Sequence, residues 1–243
     1  MVARRGKGRK RLPGVLPAED SGLRWWWKLD LQRFPVFVGL LEHHKTGNSS
    51  IHPELVRRIR GGEDFLYADH AYFVRSNVTF RLVRGELHPT RILDRPGDRL
   101  KAWGIRVSPY QQGSRVIVIP PSRYQIAVYG AEGWLDKTLE ELKSSTDRPV
   151  VVKTDKAIPL AEYLKDAWCF VTFASAAGVT ALISGVPVFA GPYCPCLPVS
   201  SGGLKDIESP VLHDRMPWLR SLAYCQWHLS ELHRIDWKEY RYL

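Results

Sequence analysis

The stretch DAWCFVTFASAAGVTALISGVPVFA (166–190) decides how this chain is read. An apolar, β-rich run from Trp168 to Phe173 gives way at Ser175 to small residues, and then to Val179, Ala181, Leu182 and Ile183. That order predicts strand, sharp turn, helix, turn and strand. Ser175 suits a helix N-cap, Gly185 stands where a left-handed residue ends a helix, and Pro187 follows where no helix continues. Ala176, Ala177 and Gly178 leave the first turn almost bare. Unpaired backbone N–H groups at such a helix start favour an anion such as a phosphate. Small residues also serve tight helix–sheet packing, and this stretch alone does not separate the two uses.

Upstream the same alternation repeats. RVIVIPP (115–121) precedes a predicted helix over 132–145 with Leu135, Leu139 and Leu142 on one stripe, and PVVVK (149–153) precedes a predicted helix over 160–167. Four continuous apolar strands alternating with helices describe a parallel sheet covered on both faces. Ligands of such sheets bind beyond the carboxyl ends of the strands. This rule collects Ser122 and Tyr124, Lys153 and Lys156, Ser175 to Gly178, and Gly191 to Tyr193 at one edge. Two ammonium groups beside a bare helix start would hold a diphosphate, although a lone lysine is ordinarily solvated surface.

The first half is less regular. Residues 34–41 read as a buried strand, 53–60 as a short helix stopped by Gly61 and Gly62, and 64–73 as a strand running into the polar pair Asp69 and His70. A carboxylate and an imidazole at a strand end suit base catalysis, because His titrates near neutrality and Asp activates a hydroxyl or holds the imidazole. Most Asp-His pairs are simply hydrogen-bonded surface. VTFRLVR (78–84) alternates as a half-buried strand, 85–107 reads as loops, and 214–232 reads as an amphipathic helix. No GKS or GKT follows Gly39 or Gly47, so a nucleoside-triphosphate P-loop is not expected.

With 243 residues, 44% of them hydrophobic and 25% charged, the chain suits one large or two small globular domains. No apolar run is long enough to span a bilayer, and no apolar stretch follows the basic start, so neither a membrane helix nor a secretory signal is expected and a cytoplasmic location follows. The four cysteines lack metal or redox spacing, so free thiols and no metal site are expected. Of the net charge of +10, six positive side chains (Arg4, Arg5, Lys7, Arg9, Lys10 and Arg11) fall in residues 1–11, which hold no acid. Such a tail is expected to be disordered and either attaches to polyanions such as DNA or solubilises the chain.

The 166–190 segment resembles the donor-binding segment of nucleotide-sugar glycosyltransferases of the GT-B type. The likeness is to compact phage-encoded members and to capsule-polysaccharide transferases. PVVVKTDK and YADHAYF bear weaker likenesses to other parts of that family. The resemblance implies an α/β fold of two Rossmann-like lobes, the first reduced. Residues 1–22 would form a tail and linker, 23–112 the acceptor-side lobe, 113–213 the nucleotide-sugar lobe, and 214–243 a C-terminal helix bridging them. It further implies donor binding by Ser122, Lys153, Lys156, Ser175, Ala176, Ala177, Gly178 and Thr180, with Asp69, or else His70, as base. Thr180 stands where many members carry a glutamate that grips the donor's hydroxyls. The expected activity is transfer from a nucleoside diphosphate sugar, UDP-sugar foremost, onto hydroxymethylated pyrimidines of phage DNA, with no other cofactor. A surface-polysaccharide or lipopolysaccharide transferase is the alternative within enzymes. A non-catalytic nucleic-acid-binding protein is the alternative outside them. The oligomeric state is left open.

Overall fold

The computed structural model describes residues 35–39, 41–43, 49–76, 78–155 and 157–235. The basic tail, the linker to residue 22 and Lys156 therefore lie outside the described residues. The fold is mixed α/β, built on one mixed and one all-parallel sheet.

In chain order the first part contains β1 (Val36–Val38), β2 (Leu41–His43), β3 (Ser49–Ile51), α1 (Pro53–Gly61), β4 (Leu66–His70), β5 (Thr79–Arg84) and α2 (Asp98–Ala102). β2 and β3 form a separate antiparallel pair. The second part contains β6 (Arg115–Ile119), α3 (Arg123–Tyr129), α4 (Trp134–Ser145), β7 (Val150–Val152), α5 (Leu160–Leu164), β8 (Ala167–Thr172), α6 (Ala177–Ile183) and β9 (Val188–Ala190). The chain then runs through α7 (Met216–Tyr224), β10 (Gln226–His228) and a 3-10 turn (Leu229–Arg234).

The parallel sheet has the order β7-β6-β8-β9. Its residues alternate between two buried faces. Val116, Val118, Cys169 and Val171 meet Leu142 of α4 on one side, while Ile117, Phe170 and Val188 meet α6 and α7 on the other. Each fully buried aliphatic side chain contributes about 1.5–3 kcal/mol, so covering both faces is what makes short parallel strands stable. Gly185 has φ +87°, as the helix-stop reading requires, and a Cβ there would stand 2.0 Å from the Pro109 carbonyl oxygen.

The other sheet, ordered β1-β4-β5-β10, departs from the expected Rossmann-like form. β1 and β4 are parallel, but β4/β5 and β5/β10 are antiparallel. The short link from residue 71 to 78 returns the chain as a hairpin and leaves no room for a crossover helix. The expected long C-terminal helix also divides, because α7 stops at Tyr224 and β10 joins the mixed sheet. Gln226 fixes that change. Its side-chain oxygen accepts from the Tyr72 and Phe73 backbone N–H groups at 2.7 and 2.9 Å. The segment after β6 contains a helix that the sequence reading passed over, α3, and the interval 85–107 contains the short α2.

Candidate functional site

β6 and β8 are neighbours in the parallel sheet, and the chain leaves β6 toward β7 on one side and β8 toward β9 on the other. Such a change of direction opens a crevice at the strands' carboxyl ends. A cleft of about 280 Å³ lies there. The β6–α3 loop lines it with Ser122 and Gln125, and the β8–α6 loop with Ala174, Ser175 and Ala176. Asp69 and His70, at the end of β4, line it from the mixed sheet together with Tyr67, Arg75, Arg81 and His88. Sequence reading placed Asp69, His70, Ser122, Ser175 and Ala176 among the functional residues, and the fold brings these five to one cleft.

Gln125 ties the two loops. Ser122 Oγ accepts from the Gln125 N–H while Gln125 Oε1 accepts from the Ser122 N–H, a reciprocal cap, and Gln125 Nε2 donates to the Ala174 carbonyl at 2.9 Å. The S-x-x-Q spacing of Ser122 and Gln125 was a legible sign of this helix start.

Opposite, Asp69 is held by three donors. Its Oδ2 accepts from Tyr67 Oη and from Arg81 Nη2, both at 2.9 Å, and its Oδ1 accepts from the His70 backbone N–H at 2.7 Å. Burial alone would raise its pKa, but the Arg81 charge and these hydrogen bonds outweigh burial and hold it below the usual carboxylate range. Burial and the neighbouring carboxylate push the Tyr67 phenol well up, so it remains a donor. Arg81 is 5% exposed at its side chain and also donates to the His70 carbonyl at 2.7 Å. Burial disfavours its charge, and the Asp69 carboxylate restores it. The Asp69 side chain stays 26% exposed toward the cleft.

Behind this pair, buried His88 shares a 2.9 Å hydrogen bond with Tyr72 Oη. Burial, then the Arg81 charge, hold its pKa well below the ordinary histidine value, so the ring is neutral. His70 is exposed, and its ring has no hydrogen-bond partner among the described residues. Arg75 is likewise exposed and carries no ion pair among the described residues.

The remaining described donor residues, Lys153, Ala177, Gly178 and Thr180, lie outside the cleft lining. Lys153 Nζ donates to the Asp155 and Ile158 carbonyls at 2.5 and 2.8 Å and lies 4.7 Å from the Tyr163 ring centroid, away from the cleft lining. Thr180 is exposed on α6, outside the cleft lining. The amides opening α6 are not bare either. Ala177 N–H reaches Ser175 Oγ, Gly178 N–H reaches the Ser175 carbonyl, and Val179 N–H reaches the Ala176 carbonyl. Gly178 is buried so closely that a Cβ would stand 2.8 Å from Cys196 Sγ. Its smallness serves packing, the second of the two uses its sequence allowed. The four cysteines are free and buried. No cluster of histidine, cysteine and acidic side chains able to hold a metal occurs among the described residues, and none of their helices is long and apolar enough to cross a membrane.

Comparison with protein-family models, with curated proteins and with solved structures returns no match.

Proposed function

We propose that the cleft is the active site of a glycosyltransferase that moves a sugar from a nucleoside diphosphate sugar, UDP-sugar foremost, onto a hydroxyl. The observation that supports this reading best is the meeting of Asp69 and His70 with both switch-point loops around one polar cleft. Phosphate oxygens would take hydrogen bonds from Ser122, Ser175 and the Ala176 N–H, with Arg75 as counter-charge in place of Lys153. Donors fixed in advance stabilise the leaving diphosphate as its charge develops. A carboxylate already satisfied by three donors is a weak base, so His70 receives the acceptor's proton and Asp69 orients the acceptor hydroxyl through its exposed edge. In this reading the mixed sheet replaces the acceptor-side lobe of the GT-B plan.

The proposed acceptor is hydroxymethylated pyrimidine in DNA, drawn by the positive chain and its basic tail, in the cytoplasm of a phage-infected host. The target base would leave the stack to reach the cleft. Incubation of the chain with a panel of nucleotide sugars and hydroxymethylcytosine DNA, followed by nucleoside mass analysis, tests it. A gain of one hexose or N-acetylhexosamine is expected, abolished by His70→Gln without loss of nucleoside diphosphate binding. Transfer to lipopolysaccharide in place of DNA would reassign the acceptor. The engaged state of Asp69 favours one second reading, a nucleic-acid-binding protein without turnover, which predicts DNA binding with no affinity for nucleoside diphosphates.

A further inference from the structure

We propose that Tyr193 is the platform on which the donor's nucleobase stacks, an inference that rests on the transferase reading above. The cleft holds only about 280 Å³, just below the roughly 300–1,000 Å³ typical of small-molecule sites. A diphosphate and its sugar fill such a space, and the nucleoside must extend along a wall. Tyr129 lines the cleft, and Tyr193, outside that lining, stacks on Tyr129. Their rings are stacked with centroids 4.0 Å apart and planes at 13°.

The stack is fixed from behind. Phe173 meets Tyr129 edge-on at 6.0 Å and Tyr193 at 5.9 Å, and Trp134 braces Phe173 at 5.9 Å. Tyr129 covers one face of Tyr193, and the residue remains 41% exposed. The turn after β9 places it there. Gly191 N–H donates to the Thr172 carbonyl, Cys194 N–H to the Gly191 carbonyl, and a Cβ on Gly191 would stand 2.5 Å from the Phe173 carbonyl oxygen. A lone exposed tyrosine needs no explanation. An exposed ring held by its aromatic neighbours, one residue removed from a phosphate-sized polar cleft, suits a base, because stacking tolerates any base and loses little entropy on a fixed ring.

Calorimetric titration of the full chain with UDP, CDP, GDP and ADP, and separately with inorganic pyrophosphate, tests the assignment in wild type, Tyr193→Leu and Tyr193→Phe. The leucine variant keeps an apolar side chain without the π-face and should weaken the best nucleoside diphosphate roughly tenfold while leaving pyrophosphate unchanged. The phenylalanine variant should bind like wild type. Wild-type affinity of the leucine variant for a nucleoside diphosphate would overturn the platform and leave the transferase reading standing. Equal weakening of pyrophosphate would also overturn it, by showing a structural effect. A wild-type chain that binds none of the four nucleotides would remove both.

Discussion

Asp69 and Arg81 face each other directly across β4 and β5, and their pairing organises the cleft. Removing one partner of a buried pair leaves the other charge uncompensated. Arg81→Met should therefore destabilise the protein by about 3 kcal/mol in denaturant unfolding. The double variant with Asp69→Asn should recover part of that loss; a loss of under about 0.5 kcal/mol in Arg81→Met would contradict the pairing. His88 gives a pH signature. Its folded pKa lies well below its unfolded value, so the unfolded chain binds more protons through the window between them. Its stabilising effect is complete above the unfolded value of about 6.5 and is lost as pH falls toward the folded pKa. The melting temperature should fall below about pH 6.5 more steeply in wild type than in His88→Gln. Asp69 has the same sign at lower pH. Its contribution is present above about 3.9 and disappears as the medium is acidified through its depressed value. The sequence exposed Asp69 and His70 because they break an apolar strand. It hid Arg81, since VTFRLVR alternates as though Arg81 faced water, and only the register that sets it opposite Asp69 makes its burial tolerable.

The parallel strands were legible at the level of elements because a strand buried on both faces is a continuous apolar run, whatever its neighbours. Gly185 was legible for a local reason, its left-handed φ of +87°. Gly185→Ala should cost at least about 2 kcal/mol in stability, combining backbone strain with the clash against Pro109, and an alanine variant as stable as wild type would contradict the close approach. Two elements were read wrongly for non-local reasons. Periodicity carries the predicted C-terminal helix past Tyr224, but Gln226 caps the Tyr72 and Phe73 amides and Trp227 pairs with Phe80, so a strand forms. The bare start of α6 was a fair inference from Ala176, Ala177 and Gly178, yet Ser175 and Ala176 themselves take up the amides, and Cys196 fills the space beside Gly178.

Across the whole molecule, the mixed sheet brings Asp69, His70, Arg75 and Arg81 to the cleft and the loops of the parallel sheet bring Ser122, Gln125 and Ser175, and neither makes the cleft alone. Charge adds a second level. Replacing Arg4, Arg5, Lys7, Arg9, Lys10 and Arg11 by serine should reduce the slope of log affinity for DNA against log salt by up to about 5, given about 0.9 per phosphate neutralised. An unchanged slope would assign the tail to solubility. A crystal structure of the full chain with bound UDP tests most directly the proposal that an activated sugar's phosphates rest in this cleft. The diphosphate should lie within hydrogen-bond reach of Ser122, Ser175 and the Ala176 N–H, with Arg75 beside it. A diphosphate lodged against Lys153, or a crystal soaked in UDP whose cleft holds none, would contradict the account.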